Sequence, residues 1–175
     1  QVYDRVQSRP FREYNHEPEI FVAVPGFGAQ WFGWRHRMTT LSLNHQSNGR
    51  ALPYSRSWNR LIGEAVFDRD DRLWASLRLW YRFREDAKAE PNDTAGDDNP
   101  DITRYMGHGE LRLGYAGSEH NLTLMLRAAA NRRPRGAIQL DYSHPTGFAK
   151  GLRWHVHWFD GYGESLVDYN VRLRR

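Results

Sequence analysis

The chain has 175 residues, no cysteine, a net charge of +4 and a mean hydropathy of −0.81. That length suits one domain with a sizeable core, and the lack of cysteine excludes disulfide frameworks and thiolate metal sites. No apolar run approaches the ~18 residues of a membrane helix, yet low hydropathy does not exclude a membrane barrel, in which only alternate residues meet lipid.

Residues 1–15 carry Pro10 and several charges without periodicity and read as a loop. Residues 17–24 form a short apolar segment closed by Pro25, Gly26 and Gly28. Residues 31–47 predict one long strand and residues 57–69 its partner, with Asp68 to Asp71 making a tight reversal. The clearest alternation follows. Leu73, Ala75, Leu77, Leu79, Tyr81 and Phe83 fall on one face, opposite Arg72, Ser76, Arg78, Arg82 and Arg84. No helical period fits residues that swap character at every step. Residues 85–101 contain seven acidic side chains, two prolines and a glycine, and read as a solvated loop.

Strands are predicted again over residues 103–115 and 120–128, around Ile138, Leu140 and Tyr142, over 152–158, and over 167–173. Reversals are expected at 116–118 and 131–134. About nine amphipathic strands in succession, with no helix between them, imply an antiparallel, up-and-down all-β architecture. Periodicity does not say which face is inside. Two features point toward a transmembrane β-barrel: charged faces dense in arginine, and aromatics near strand ends (Trp31, Trp34, Tyr81, Phe83, Tyr115, Trp158). The arginines are spread over many strands rather than gathered in one patch, which argues against nucleic acid.

The arms at residues 41–47 and 57–69 carry one chemically related set. His45 and Ser47 share a face with Leu41 and Leu43, because side chains two apart in a strand point the same way. Asn59 shares a face with Leu61, Gly63, Ala65 and Phe67 on the returning arm. Paired as a hairpin, the arms would project all three polar groups from the apolar surface at the loop end. A histidine beside a serine hydroxyl, with an amide to fix its tautomer, is the arrangement of an activated nucleophile. A histidine two residues from a serine is also common without function, so the three residues alone leave catalysis and incident open.

The strings Asn44-His-Gln-Ser-Asn-Gly-Arg50 and Ser55-Arg-Ser-Trp-Asn-Arg60 resemble the active-site segment of the outer membrane phospholipase A family. Pro10-Phe-Arg-Glu13 with Glu17-Pro18, the segment from Asp97 to Gly107, and that from Gly161 to Asn170 extend the resemblance from about Ser8 to Asn170. The family is a twelve-stranded outer-membrane barrel of Gram-negative bacteria that hydrolyses phospholipid acyl esters as a calcium-bound homodimer. The resemblance implies that residues 1–175 are a single barrel domain lacking the first strands and the last. It also implies Ser47 as nucleophile, His45 as base, Asn59 as its orienting group and Gly49 as oxyanion donor. Ca2+ would be held by the Arg50 carbonyl, the Ser55 hydroxyl and the Ser8 carbonyl of a neighbouring subunit. The implied substrates are glycerophospholipids and lysophospholipids in the outer membrane.

Leu52 stands where the family's better-known member is expected to have an acidic residue. That argues against a second, weaker calcium site, to which only Asp98 would contribute. A passive pore or structural barrel, with the triad incidental, is the rival reading, and a soluble lipid carrier with an apolar lumen is another. His155 and His157 share a face but show no third metal ligand in the sequence, so hydrogen bonding within a lumen is expected of them. The chain opens on Gln1 and its last residues stop in mid-pattern, so a piece of a longer protein is expected.

Overall fold

The computed structural model describes residues 13–90, 92–129 and 135–175. The predicted reversal at 131–134, and Ser8, lie outside them.

Ten strands form one antiparallel sheet. They are β1 (Glu19–Pro25), β2 (Gln30–Trp31), β3 (Trp34–Ser47), β4 (Ser57–Arg69), β5 (Leu73–Phe83), β6 (Gly109–Ala116), β7 (Asn121–Ala129), β8 (Arg135–Pro145), β9 (Arg153–Gly161) and β10 (Leu173–Arg174). Each strand from β3 to β10 pairs with its neighbour in sequence, while β1 and β2 both lie along the free side of β3. This is the predicted up-and-down order. Among the described residues β1 and β10 do not pair, so the curved sheet is not closed.

The exposure pattern settles the question periodicity left open. Ile20, Val22, Leu41, Leu43, Leu79, Tyr81, Trp154 and Val156 are all more than half exposed. Ser42, Asn44, Arg60, Ser76, Arg82 and Glu110, which alternate with such residues, are buried. A water-soluble sheet does the reverse. Here the polar face is inward and satisfied by its own charges: Arg78 pairs with Glu19 at 3.4 Å, Arg112 with Glu110 at 2.8 Å, and Arg82 with Asp97 at 2.7 Å. Apolar residues outward and paired charges inward is the layout of a lipid-facing barrel wall.

The two rims differ. At one, reversals are short. Asp70 and Asp71 both take φ 55°, the left-handed pair of a two-residue hairpin turn. Phe32 and Gly33 make a similar reversal at φ 49° and 80°. This turn divides the predicted 31–47 strand into β2 and β3. The opposite rim carries the long connections 48–56, 84–108 and 162–172.

Two of those connections fold inward and pack Ile102, Met106, Leu166 and Tyr169 on Trp58 and Ile62 of β4 and Trp80 of β5, which together form the main core. Three predictions are corrected there. Residues 103–106 form a short helix, α1 (Thr103–Met106), instead of opening a strand. A helical turn places Ile102 and Met106, four apart, together in the core, which a strand would also allow by parity but not at that separation. Residues 167–172 are turns: Leu166 and Tyr169 enter the core three residues apart, and the Glu13 carboxylate accepts the Leu166 and Val167 amides at 3.2 and 2.8 Å. The acidic loop at 85–101 is not simply solvated, since Asn99 is fully buried and Asp97 is held by Arg82.

Candidate active site

The β3–β4 hairpin ends at the rim of long connections, and its register sets His45 opposite Asn59 and Ser47 opposite Ser57. Cross-strand partners have Cβ atoms about 5 Å apart, which suits a direct side-chain hydrogen bond. His45 Nδ1 and Asn59 Oδ1 lie 2.8 Å apart. Asn59 Nδ2 donates to Glu85 Oε1 at 3.1 Å. That second bond fixes the amide with its oxygen toward the ring. A carbonyl oxygen only accepts, so Nδ1 carries the proton and Nε2 is left as a basic lone pair. Glu85, at the start of the acidic loop, was not singled out from sequence; nothing local marks it, because its partner is 26 residues away.

Ser47 is fixed through its backbone. Its amide donates to the His16 carbonyl at 2.9 Å and its carbonyl accepts the His16 amide at 2.8 Å, while β4 pairs on its other side. The side chain shares the exposed face of Leu41, Leu43 and His45. Among the described residues no hydrogen bond joins Ser47 Oγ to His45; in enzymes without substrate such contacts are often long. The structure therefore brings His45 and Asn59 into contact and sets Ser47 beside them on the same face.

Gly49 has φ +60°, and a Cβ there would lie 3.2 Å from His16 Nε2 and 3.3 Å from the Tyr14 carbonyl. The left-handed φ favours glycine at this position, and an added side chain would also press on His16. The preceding Asn48, 1% exposed, ties the loop shut: Nδ2 donates to the Tyr54 carbonyl at 2.8 Å, and Oδ1 accepts the amides of Arg56 at 3.0 Å and Arg50 at 3.3 Å. The Asn48-Gly49 pair is the turn signal at which the sequence breaks the strand, but its role as a staple rests on contacts with Tyr54 and Arg56 that the sequence does not display.

Behind the hairpin, on the polar face, Arg60 lies 4.1 Å from the Trp58 ring centroid and donates to Asn44 at 2.7 Å and Glu17 at 2.8 Å. The hairpin thus rests on a packed, hydrogen-bonded wall. On the outer face a shallow groove of about 440 Å³, lined in part by Ile20, Leu43, His45, Asn59 and Phe83, opens beside the imidazole.

Ser55 Oγ donates to Asp98 Oδ2, and Lys88 Nζ pairs with Asp98 Oδ1 at 2.5 Å. The Arg50 guanidinium stands 5.7 Å from the Tyr54 ring centroid. Hydroxyl, carboxylate and backbone carbonyl are hard oxygen donors of the kind Ca2+ takes, so these residues fit that ion. The Leu52 side chain adds no donor.

The model of the phospholipase A1 family matches residues 1–175. The chain belongs to that family. It is 37% identical over 177 aligned residues to the phospholipase A1 of Klebsiella pneumoniae, which covers all of this chain and 56% of that protein. Among solved structures it is similar to outer membrane phospholipase A from Escherichia coli, with a TM-score of 0.79 and 35% identity over 94% of this chain and 62% of that one. A calcium-bound dimer of the outer membrane phospholipase of Salmonella typhi matches with a TM-score of 0.79 and 35% identity, over 94% of this chain and 59% of that one. The chain spans about half the length of the curated phospholipase A1 relatives it matches, 56% for the Klebsiella protein. The barrel architecture expected of the sequence is that of these phospholipases.

Proposed function

We propose that this chain carries the active site of an outer-membrane enzyme of a Gram-negative bacterium that hydrolyses acyl esters of glycerophospholipids and lysophospholipids. The His45–Asn59 hydrogen bond, locked by Glu85 on the lipid-facing side of the hairpin, is the observation that supports it most.

In this reading Ser47 Oγ attacks the ester carbonyl while His45 Nε2 takes its proton. The oxyanion so formed accepts a hydrogen bond from the Gly49 amide. Asn59 holds the imidazolium, and His45 then returns the proton to the departing glycerol alkoxide. A water, deprotonated by the same nitrogen, attacks the acyl-serine ester and releases the fatty acid and a free Ser47. Because the triad faces outward beside Leu41 and Leu43, a phospholipid reaches it without leaving the bilayer, and the groove beside Ile20 and Phe83 suits an acyl chain.

Calcium would be held by the Arg50 carbonyl, the Ser55 hydroxyl and the partner subunit's Ser8, and would supply positive charge near the oxyanion. Completion of that site by a second subunit makes the homodimer the active form, so a monomer in its own membrane is silent. In this chain Lys88 neutralises Asp98 beside Ser55, so Asp98 contributes little charge to the site while that pair persists.

Ser47→Ala should abolish calcium-stimulated release of fatty acid from phospholipid in detergent micelles, with the barrel still folded by heat-modifiable electrophoresis. Retention of that activity would refute the nucleophile assignment.

A further inference from the structure

The sequence shows His155 and His157 on one face and no third ligand near them. The fold supplies one. Register places Asp141 of β8 directly opposite His157 of β9, on the polar face of the sheet. His157 Nδ1 lies 2.7 Å and His155 Nε2 3.5 Å from Asp141 Oδ1, and one donor atom from each residue falls within 4.8 Å of the other two. Donors bound to one metal at about 2.0–2.2 Å in a tetrahedral site stand roughly 3.3 Å apart, within the spread seen here.

Two further contacts have the form of an outer shell. Asp141 Oδ2 accepts Gln139 Nε2 at 2.6 Å, which leaves Oδ1 to face the histidines. The far nitrogen of His157, Nε2, stands 3.9 Å from Glu164 Oε1, an ion-pair distance longer than a hydrogen bond. Glu164 Oε1 is taken by Arg175 at 2.7 Å, but its Oε2 is buried with no hydrogen-bond partner. A metal on Nδ1 would leave the proton on Nε2, aimed at that carboxylate. Carboxylate–histidine–metal relays of this kind fix ring orientation and raise ligand basicity.

We propose that Asp141, His155 and His157 form a three-ligand site for a divalent transition metal of the Zn2+ class, with Glu164 and Gln139 orienting two of the ligands. Two imidazoles and one carboxylate suit Zn2+ and its late first-row neighbours, and disfavour Ca2+ and Mg2+, which take oxygen. Three protein ligands leave a coordination position for water. The site lies on the face opposite to the proposed triad and is independent of the lipase reading.

The test uses the untagged protein in detergent micelles, with Co2+ as a spectroscopic probe and Zn2+ in competition with a colorimetric chelator. The expected result is saturable Zn2+ binding at one site per chain and visible ligand-field bands of four-coordinate Co2+. Both should survive excess Ca2+ and be lost in His155→Gln and in His157→Gln. Glu164→Gln should retain the site with an affinity lowered roughly 10–100-fold. Phospholipid hydrolysis by His155→Gln at saturating Ca2+ should match the parent, which shows that the variant is folded. Absence of ligand-field bands, or equal Zn2+ affinity in both histidine variants and the parent, would overturn the assignment and leave the cluster as hydrogen bonding alone.

Discussion

Asn59→Ala isolates the contact on which the catalytic reading leans. The substitution removes Oδ1, which accepts from His45 at 2.8 Å, and Nδ2, which Glu85 holds at 3.1 Å, while β4 keeps its ladder on both sides. In the resting state the lost His45 bond is one between neutral groups, of about 1 kcal/mol. In the transition state the ring is an imidazolium, and a hydrogen bond to a charged group contributes about 1.5–3 kcal/mol. Only the difference, about 0.5–2 kcal/mol, raises the barrier, so at 1.36 kcal/mol per decade kcat/KM should fall roughly 2- to 30-fold. The loss should lie mainly in kcat, since Asn59 acts on the reacting centre through His45 and only borders the acyl-chain groove. Steady-state hydrolysis of a short-chain chromogenic ester in micelles at saturating calcium separates the two parameters. A kcat within twofold of the parent, in a variant that still shows heat-modifiable migration, would refute the reasoning. So would a loss confined to KM.

Three other substitutions probe the frame around the triad. Gly49→Ala forces an L side chain to φ +60° against His16 and should destabilise the loop by about 1–2 kcal/mol; the same shift displaces the proposed oxyanion donor, so hydrolysis should fall far more than urea stability. Asp97→Ala strips the partner from Arg82, whose side chain is 6% exposed, and should cost about 3–5 kcal/mol in denaturant titrations, because a buried guanidinium is left unpaired. Tyr169, buried under the rim, donates to Asp101 at 2.5 Å, and burial followed by that bond raises its pKa above the usual value of about 10. Because the folded state prefers the neutral phenol, this contribution is complete below pH 10 and is lost as pH rises through the higher folded value. Ultraviolet titration should show one tyrosine that ionises later than the rest, and Tyr169→Phe should remove that late step.

Much of the wall was legible because strand parity is rigid. Once Leu41 and Leu43 are placed outward, His45 and Ser47 must follow, and Asn59 meets His45 if the hairpin closes in register. Parity does not say which face is wet; that required the burial of Arg60, Ser76 and Arg82. The rim was less legible. Ile102 and Met106 satisfy both a strand and a helix pattern, and only packing against Trp58 and Trp80 selects the helix. Glu85 and Asp141, and the tying role of Asn48 beyond its turn signal, escaped notice for one reason: each acts through a partner brought near by a turn or by register, which no local pattern displays.

The central claim is that Ser47 is made nucleophilic by His45. The most direct measurement is labelling of the folded protein with a long-chain sulfonyl fluoride or fluorophosphonate, followed by peptide mapping. One adduct per chain is expected, on Ser47, dependent on calcium and lost when His45 is replaced by Ala. Labelling elsewhere, or undiminished labelling of Ser47 without His45, would contradict it.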